Sequence, residues 1–166
     1  MEDTAFIKRV LDDFRNINSE FNHISRLGDL FSVWFSENII LYDRDREKAL
    51  EYFIGGSGDE RVDIGVADED HELVILAQCK FPDGDELIID QETVQLNQYN
   101  KDLIDSILAA LSRLETCSDS GNEKRKEFLN SFKENLEPDN SNLKLLVVAF
   151  GNFTPDAIEY AIKKKC

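Results

Sequence analysis

Two extended runs separated by five polar residues constrain this chain more than any other feature. From Val62 to Ala67, Val62, Ile64 and Val66 alternate with Asp63, Gly65 and Ala67; Leu73 to Phe81 follows, with β-branched Val74 and Ile75 in its first half. Side chains alternate faces along a strand. A connection as short as Asp68-Glu69-Asp70-His71-Glu72 lets two such runs pair only as an antiparallel hairpin. Within the second run Gln78 and Lys80 share a face, while Cys79 and Phe81 take the other. Pro82-Asp83-Gly84-Asp85 then closes the strand as a turn, with proline pre-setting one backbone angle and glycine accepting a left-handed one.

A lone hairpin is not stable in water, so the remaining chain must cover it, and most of that chain has helical period. Phe6, Ile7, Val10, Leu11 and Phe14 predict a helix from about Asp3 to Asn16. Leu27, Leu30, Phe31, Trp34 and Phe35 make a second core stripe running into Ile39 and Ile40. Ala49 to Ile54 is a short apolar element of open type, and Leu87-Ile88-Ile89 reads as a very short strand. A long helix is expected from Asp90 or Gln91 to Glu115, and another through Phe128, Leu129 and Phe132. Leu143 to Phe150, apolar apart from Lys144, fits a central strand covered on both faces. Thr154-Pro155 suits the cap and first position of a last helix. The expected fold class is α/β, a mixed β-sheet flanked by helices, in a single domain over residues 1–166. A strand and a short helix so close to the end also fit the amino-terminal part of a longer protein.

The charge limits what such a domain can bind. Thirty-four acidic side chains against 19 basic ones give −15, a field that opposes DNA, RNA and anionic membranes. A nucleic-acid role therefore needs a local basic patch, a metal or an additional domain. The alternating charges from Tyr42 to Lys48 read as a wet loop or an exposed helix start, and Lys163 to Lys165 as a solvated tail. Cys79, Cys117 and Cys166 form no CxxC and leave one cysteine over in any pairing, which points to a reducing, cytoplasmic setting. No run approaches 18 apolar residues, so no membrane span is expected. Gly55-Gly56-Ser57-Gly58 is followed by no Gly-Lys-Ser/Thr and reads as a tight turn, not a phosphate loop. His23 and His71 stand alone, without a partner at zinc-ligand spacing.

The chemically suggestive cluster lies on the hairpin. Depending on register, Asp63 falls close to Ala77 or Gln78. Placed opposite Gln78, it shares a face with Gln78 and Lys80, whereas a one-residue shift separates them. A carboxylate and an amide oxygen, helped by a backbone carbonyl, are the hard oxygens Mg²⁺ prefers. A lysine beside the ion can orient a water or stabilise a developing phosphorane charge. The bland alternative is a pair of solvated side chains on a partly exposed face.

Gly58-Asp59-Glu60-Arg61-Val62-Asp63-Ile64-Gly65-Val66, followed by Leu76-Ala77-Gln78-Cys79-Lys80-Phe81, resembles the core of the PD-(D/E)xK nuclease superfamily. More narrowly it is similar to the Mrr-like restriction endonuclease branch and the amino-terminal region of abortive-infection phage-resistance (AIPR) proteins. The resemblance implies a restriction-endonuclease-like core and an Mg²⁺- or Mn²⁺-dependent endonuclease, a hydrolase of phosphodiester bonds in DNA acting in phage defence. It matches Asp63 to the strand aspartate, Gln78 to the Glu/Gln position, Lys80 to the lysine and Asp59 to an additional aspartate ahead of the strand. The implied metal ligands are Asp63, Gln78, Asp59 and, through its main chain, Cys79, whose side chain reads as buried packing. Many active members also carry a glutamate on the preceding helix, where this chain has Ser32 after Phe31. Asp29, Glu37 and Glu20 are the substitutes at hand, and Glu20 is preferred as the fourth catalytic residue beside Asp63, Gln78 and Lys80. Grip on nucleic acid is expected to be weak for this domain alone, with a homodimer or a further carboxy-terminal domain supplying the rest. The competing readings are an inactive interaction module on the same scaffold and an acidic DNA mimic that binds a basic partner.

Overall fold

A computed structural model describes residues 2–55, 62–68, 73–82, 87–88, 90–114, 123–131 and 142–164. Helix α1 (Glu2–Glu20) buries Ile7, Val10, Leu11, Phe14 and Ile17. It runs past the expected end at Asn16 because Ile17 continues the buried stripe. Helix α2 (Leu27–Phe35) buries Leu27, Leu30, Phe31 and Val33 and continues as a π-helical segment over Ser36–Ile40. The charged run after it is, in part, a helix start: the Asp45 side chain accepts from the Lys48 N–H at 3.0 Å and caps α3 (Arg46–Tyr52).

Strands β1 (Ile64–Asp68) and β2 (Leu73–Lys80) form the expected antiparallel hairpin, with Ile64 across from Ala77 and Asp68 across from Leu73. Strand β3 (Asn97–Tyr99) precedes α4 (Lys101–Leu114), followed by α5 (Glu123–Ser131), β4 (Leu143–Ala149), β5 (Gly151–Phe153) and α6 (Pro155–Lys164). Strand β4 pairs parallel to β2, giving a mixed sheet in the order β1-β2-β4, while β3 and β5 form a separate parallel pair.

Helices cover both faces of the three-stranded sheet. Ile64, Val66, Ala77 and Cys79 point into a large cluster with α1 and α2, joined by Leu146, Val148 and Phe150. Val74 and Leu76 point the other way, with Leu129 and Phe128 of α5 and with Leu143 and Leu145. A Cβ on Gly65 would lie 2.8 Å from Ile54 Cδ1 and 2.9 Å from Phe128 Cε1. Its hydrogen is what lets α5 and the chain after α3 close on β1.

Four expectations change. The helix expected from Asp90 or Gln91 begins at Lys101. Asn100 is its cap, accepting the Asp102 N–H on Oδ1 at 2.9 Å, and residues 91–96 ahead of β3 have no regular structure. Leu87 and Ile88 carry no strand pairing. Leu87 donates its N–H to Ser25 O and packs on the large cluster, and Ile89 lies outside the described residues. Strand β4 is an edge of the three-stranded sheet, not its centre. Its apolar run reflects two covered faces, not two paired edges. Val62 joins the Leu76 face although Ile64 and Val66 point away from it, so the period-two pattern slips between Val62 and Ile64. Of the three aromatic residues in the α2 stripe Phe31 is the buried one, packing on Trp34, Phe35, Phe81 and Phe150, while Trp34 and Phe35 are half-buried.

Candidate active site

The slip at Val62–Ile64 places Asp63 where β1 leaves the hairpin ladder. Its N–H donates to Ala77 O at 2.9 Å, and its carbonyl accepts from the N–H groups of Ile54 and Gly55 at 3.0 Å. On β2, Val74 N–H reaches Asn142 O and Lys80 O accepts Phe150 N–H, so even-numbered residues turn their amides towards β4. The Cys79 N–H therefore faces the β1 side, where the ladder has ended. The Asp63 carboxylate takes it, with Oδ2 2.6 Å from Cys79 N. This bond satisfies an amide that would otherwise be orphaned. It also anchors the carboxylate against the stretch Gln78-Cys79-Lys80.

Gln78 is only 1 % exposed, and its carboxamide oxygen lies within hydrogen-bonding reach of Ser106 Oγ on α4. Ser106 Oγ is also 2.7 Å from Leu103 O, yet a hydroxyl has one proton and cannot donate to both. With the carboxamide turned over, Nε2 would donate to Ser106 Oγ and Ser106 to Leu103 O, and Gln78 Oε1 would be left to accept from elsewhere. Lys80 follows on the same strand face at the exposed end of β2.

Cys79 is buried on the opposite face, as expected for packing. Burial pushes its thiol well above the ordinary range, the Asp63 carboxylate adds to the rise, and the Ser32 hydroxyl partly offsets it. Ser32, fully buried on α2 with Oγ donating to Gly28 O at 2.9 Å, thus lies over β2. The helix position at which the sequence pattern expects a glutamate does face the hairpin, but it carries a neutral side chain.

Glu20 belongs to a different cluster. Its carboxylate accepts from Arg46 Nη1 at 2.9 Å, while both oxygens of Glu37 accept from Arg46 Nε at 3.1 Å. Partial burial works against the Arg46 charge, but the two carboxylates outweigh it and hold its pKa above the ordinary guanidinium value. Asp59 lies outside the described residues. The structure thus brings Asp63 to the Gln78–Lys80 stretch and ties Glu20 to Arg46 and Glu37. No group of three or more His, Cys, Asp and Glu side chains is gathered for a metal among the described residues. A carboxylate, an amide oxygen and the Cys79 main-chain carbonyl are nonetheless the donor chemistry that fits a hard divalent ion.

Ser106 has no signature in the sequence. It lies 28 residues from Gln78, and only the parallel crossover from β2 through α4 to β4 sets one above the other. Among the described residues no helix is long and apolar enough to cross a membrane. No family model, curated protein or solved structure matches the chain.

Proposed function

We propose that this chain is a divalent-metal-dependent nuclease domain with a restriction-endonuclease-like core, hydrolysing phosphodiester bonds in DNA. The observation that carries the reading is the Asp63 carboxylate held on the Cys79 amide, between Gln78 and Lys80 in sequence. The hairpin followed by a helix and a strand parallel to β2 is the connectivity that the resemblance implies. Asp63, Gln78 through Oε1 and the Cys79 carbonyl would hold Mg²⁺ or Mn²⁺, with Asp59 as the further anionic ligand. A bound ion would supply Lewis-acid activation of water and neutralise charge on the phosphate. Lys80, at the exposed strand end, would orient the attacking water and stabilise the phosphorane. A role in phage defence rests on the resemblance alone.

Ser32 in place of the helix glutamate favours a second reading, a catalytically inactive interaction module on the same scaffold. A cleavage assay separates the two. Plasmid DNA and single-stranded RNA are incubated with the protein and Mg²⁺ or Mn²⁺, with a chelator control and the Lys80→Ala variant. DNA cleavage that stops on chelation and falls at least about 100-fold in Lys80→Ala, with an unchanged melting temperature, supports the nuclease. Activity surviving in Lys80→Ala places the chemistry elsewhere, and no cleavage with either metal supports the module.

A further inference from the structure

The same structure holds a polar concavity away from the hairpin, none of whose lining residues belongs to β1 or β2. A cleft of about 480 Å³ opens between α1, the π-helical segment and the chain leading to α3, lined by Phe6, Trp34 and Ile39 together with Arg9, Arg44 and Arg46. Its size falls in the range of small-ligand sites. The carboxylates that line it are already engaged: Asp13 Oδ2 accepts the Trp34 indole N–H at 2.9 Å, and Glu37 is bound by Arg46. The Arg9 and Arg44 guanidinium groups make no hydrogen bond or ion pair among the described residues. In a chain of net charge −15, two such guanidinium groups on one cleft are unexpected, since acidic side chains are plentiful enough to pair with them.

The backbone departs from regular structure at the same place. The π-helical turn of Ser36–Ile40 lines the cleft through Glu37, Asn38 and Ile39, and such turns concentrate at functional sites. Arg44 has φ 54°, a left-handed conformation costly to a side chain with a Cβ. The aromatic part of the lining is partly open. Phe6 stacks on Phe150 yet remains 47 % exposed, and the Trp34 ring stands edge-on to it.

We infer that this cleft binds a nucleoside monophosphate unit, free or at the end of a strand, with phosphate on Arg9 and Arg44 and the base against Phe6 and Trp34. Guanidinium forks match phosphate oxygens, and base-on-aromatic stacking tolerates any base. The site does not depend on the hairpin or on a metal.

Trp34 is the chain's only tryptophan and lines the cleft, so its fluorescence reports occupancy directly. AMP, UMP, adenosine, inorganic phosphate and a 5′-phosphorylated oligonucleotide are titrated into the metal-free protein, with calorimetry alongside. Saturable quenching by AMP and UMP is expected, with adenosine and inorganic phosphate each at least about 10-fold weaker because each keeps only half the recognition. Arg9→Gln should weaken AMP binding about 10-fold. Arg44→Gly should do the same while holding or raising the melting temperature, since glycine suits a left-handed backbone. Tighter binding of free AMP than of the oligonucleotide assigns the site to a small ligand, and the reverse assigns it to a strand end. Absence of saturable binding by the nucleotides and the oligonucleotide overturns the inference. So does binding that Arg9→Gln and Arg44→Gly leave unchanged, or inorganic phosphate binding as tightly as AMP.

Discussion

The two faces of the three-stranded sheet are built to different standards. On the α1–α2 face, Phe14, Phe31, Phe81 and Phe150 pack ring against ring, with centroids 4.8–5.7 Å apart, inside a cluster that reaches from Ile7 to Phe150. On the α5 face, Ile54, Val62, Val74, Leu76 and Leu129 make a small aliphatic layer. The sheet also admits a polar pair there, Gln78 with Ser106 of α4, and needs a glycine at Gly65 to let α5 approach. The thick face holds the domain together, while polar groups that could do chemistry lie on the thin face and at the strand end beside it. An amide can be kept buried and oriented there with one partner, because less of the core's packing depends on it.

The largest effect expected from this contrast belongs to the thick face. Phe31→Ala removes a ring that contacts four other aromatic side chains and should cost about 3–5 kcal/mol in chemical denaturation. A loss under about 1 kcal/mol would mean that the two faces are not so unequal. On the thin face, Gly65→Ala forces a methyl group against Ile54 and Phe128 and should cost about 1–3 kcal/mol. Ser106→Ala leaves the Gln78 carboxamide buried without its partner, at a similar cost of about 1–3 kcal/mol. The double variant Gln78→Leu/Ser106→Ala should recover most of that stability, since it removes both polar groups together. If the double variant is as unstable as the single one, the pair matters for shape and not for hydrogen bonding. Smallest of all is Glu20→Gln. Its ion pair with Arg46 is half exposed, and Arg46 keeps Glu37, so the melting curve should move by under about 1 kcal/mol. A larger shift would give Glu20 a structural role that its exposure does not suggest.

The hairpin was legible because both strands advertise themselves locally: β1 alternates, β2 carries β-branched Val74 and Ile75 in an apolar run, and five polar residues leave only the antiparallel pairing. The register itself was left open by one residue, with Asp63 near Ala77 or Gln78, and the structure pairs Ile64 with Ala77. What sequence period could not supply was the slip at Val62, which depends on Ile54 and Gly55 donating to the Asp63 carbonyl from a segment nearly ten residues upstream. The ten residues before α4 carry apolar side chains at helical spacing, and Val94 is indeed packed on the large cluster. Asn100, an unremarked cap within the stripe, was the local signal that the helix starts later. Ser106 and the arginine cleft were beyond reach for another reason. Both are assembled from elements far apart in the chain, and the alternating charges around Arg44 look like any solvated loop. Ser32 is the opposite case: the resemblance singled out its position, and the structure lays it over Cys79 of β2.

Calorimetric titration of Mn²⁺ into the wild type, Asp63→Ala and Gln78→Glu tests most directly the proposed binding of a divalent ion at the strand end around Asp63. Expected are one saturable site in the wild type, its loss in Asp63→Ala with the fold retained by circular dichroism, and equal or tighter binding in Gln78→Glu, which adds an anionic oxygen at nearly constant size. Wild-type protein that takes up no Mn²⁺, or an affinity unchanged by Asp63→Ala, would contradict it.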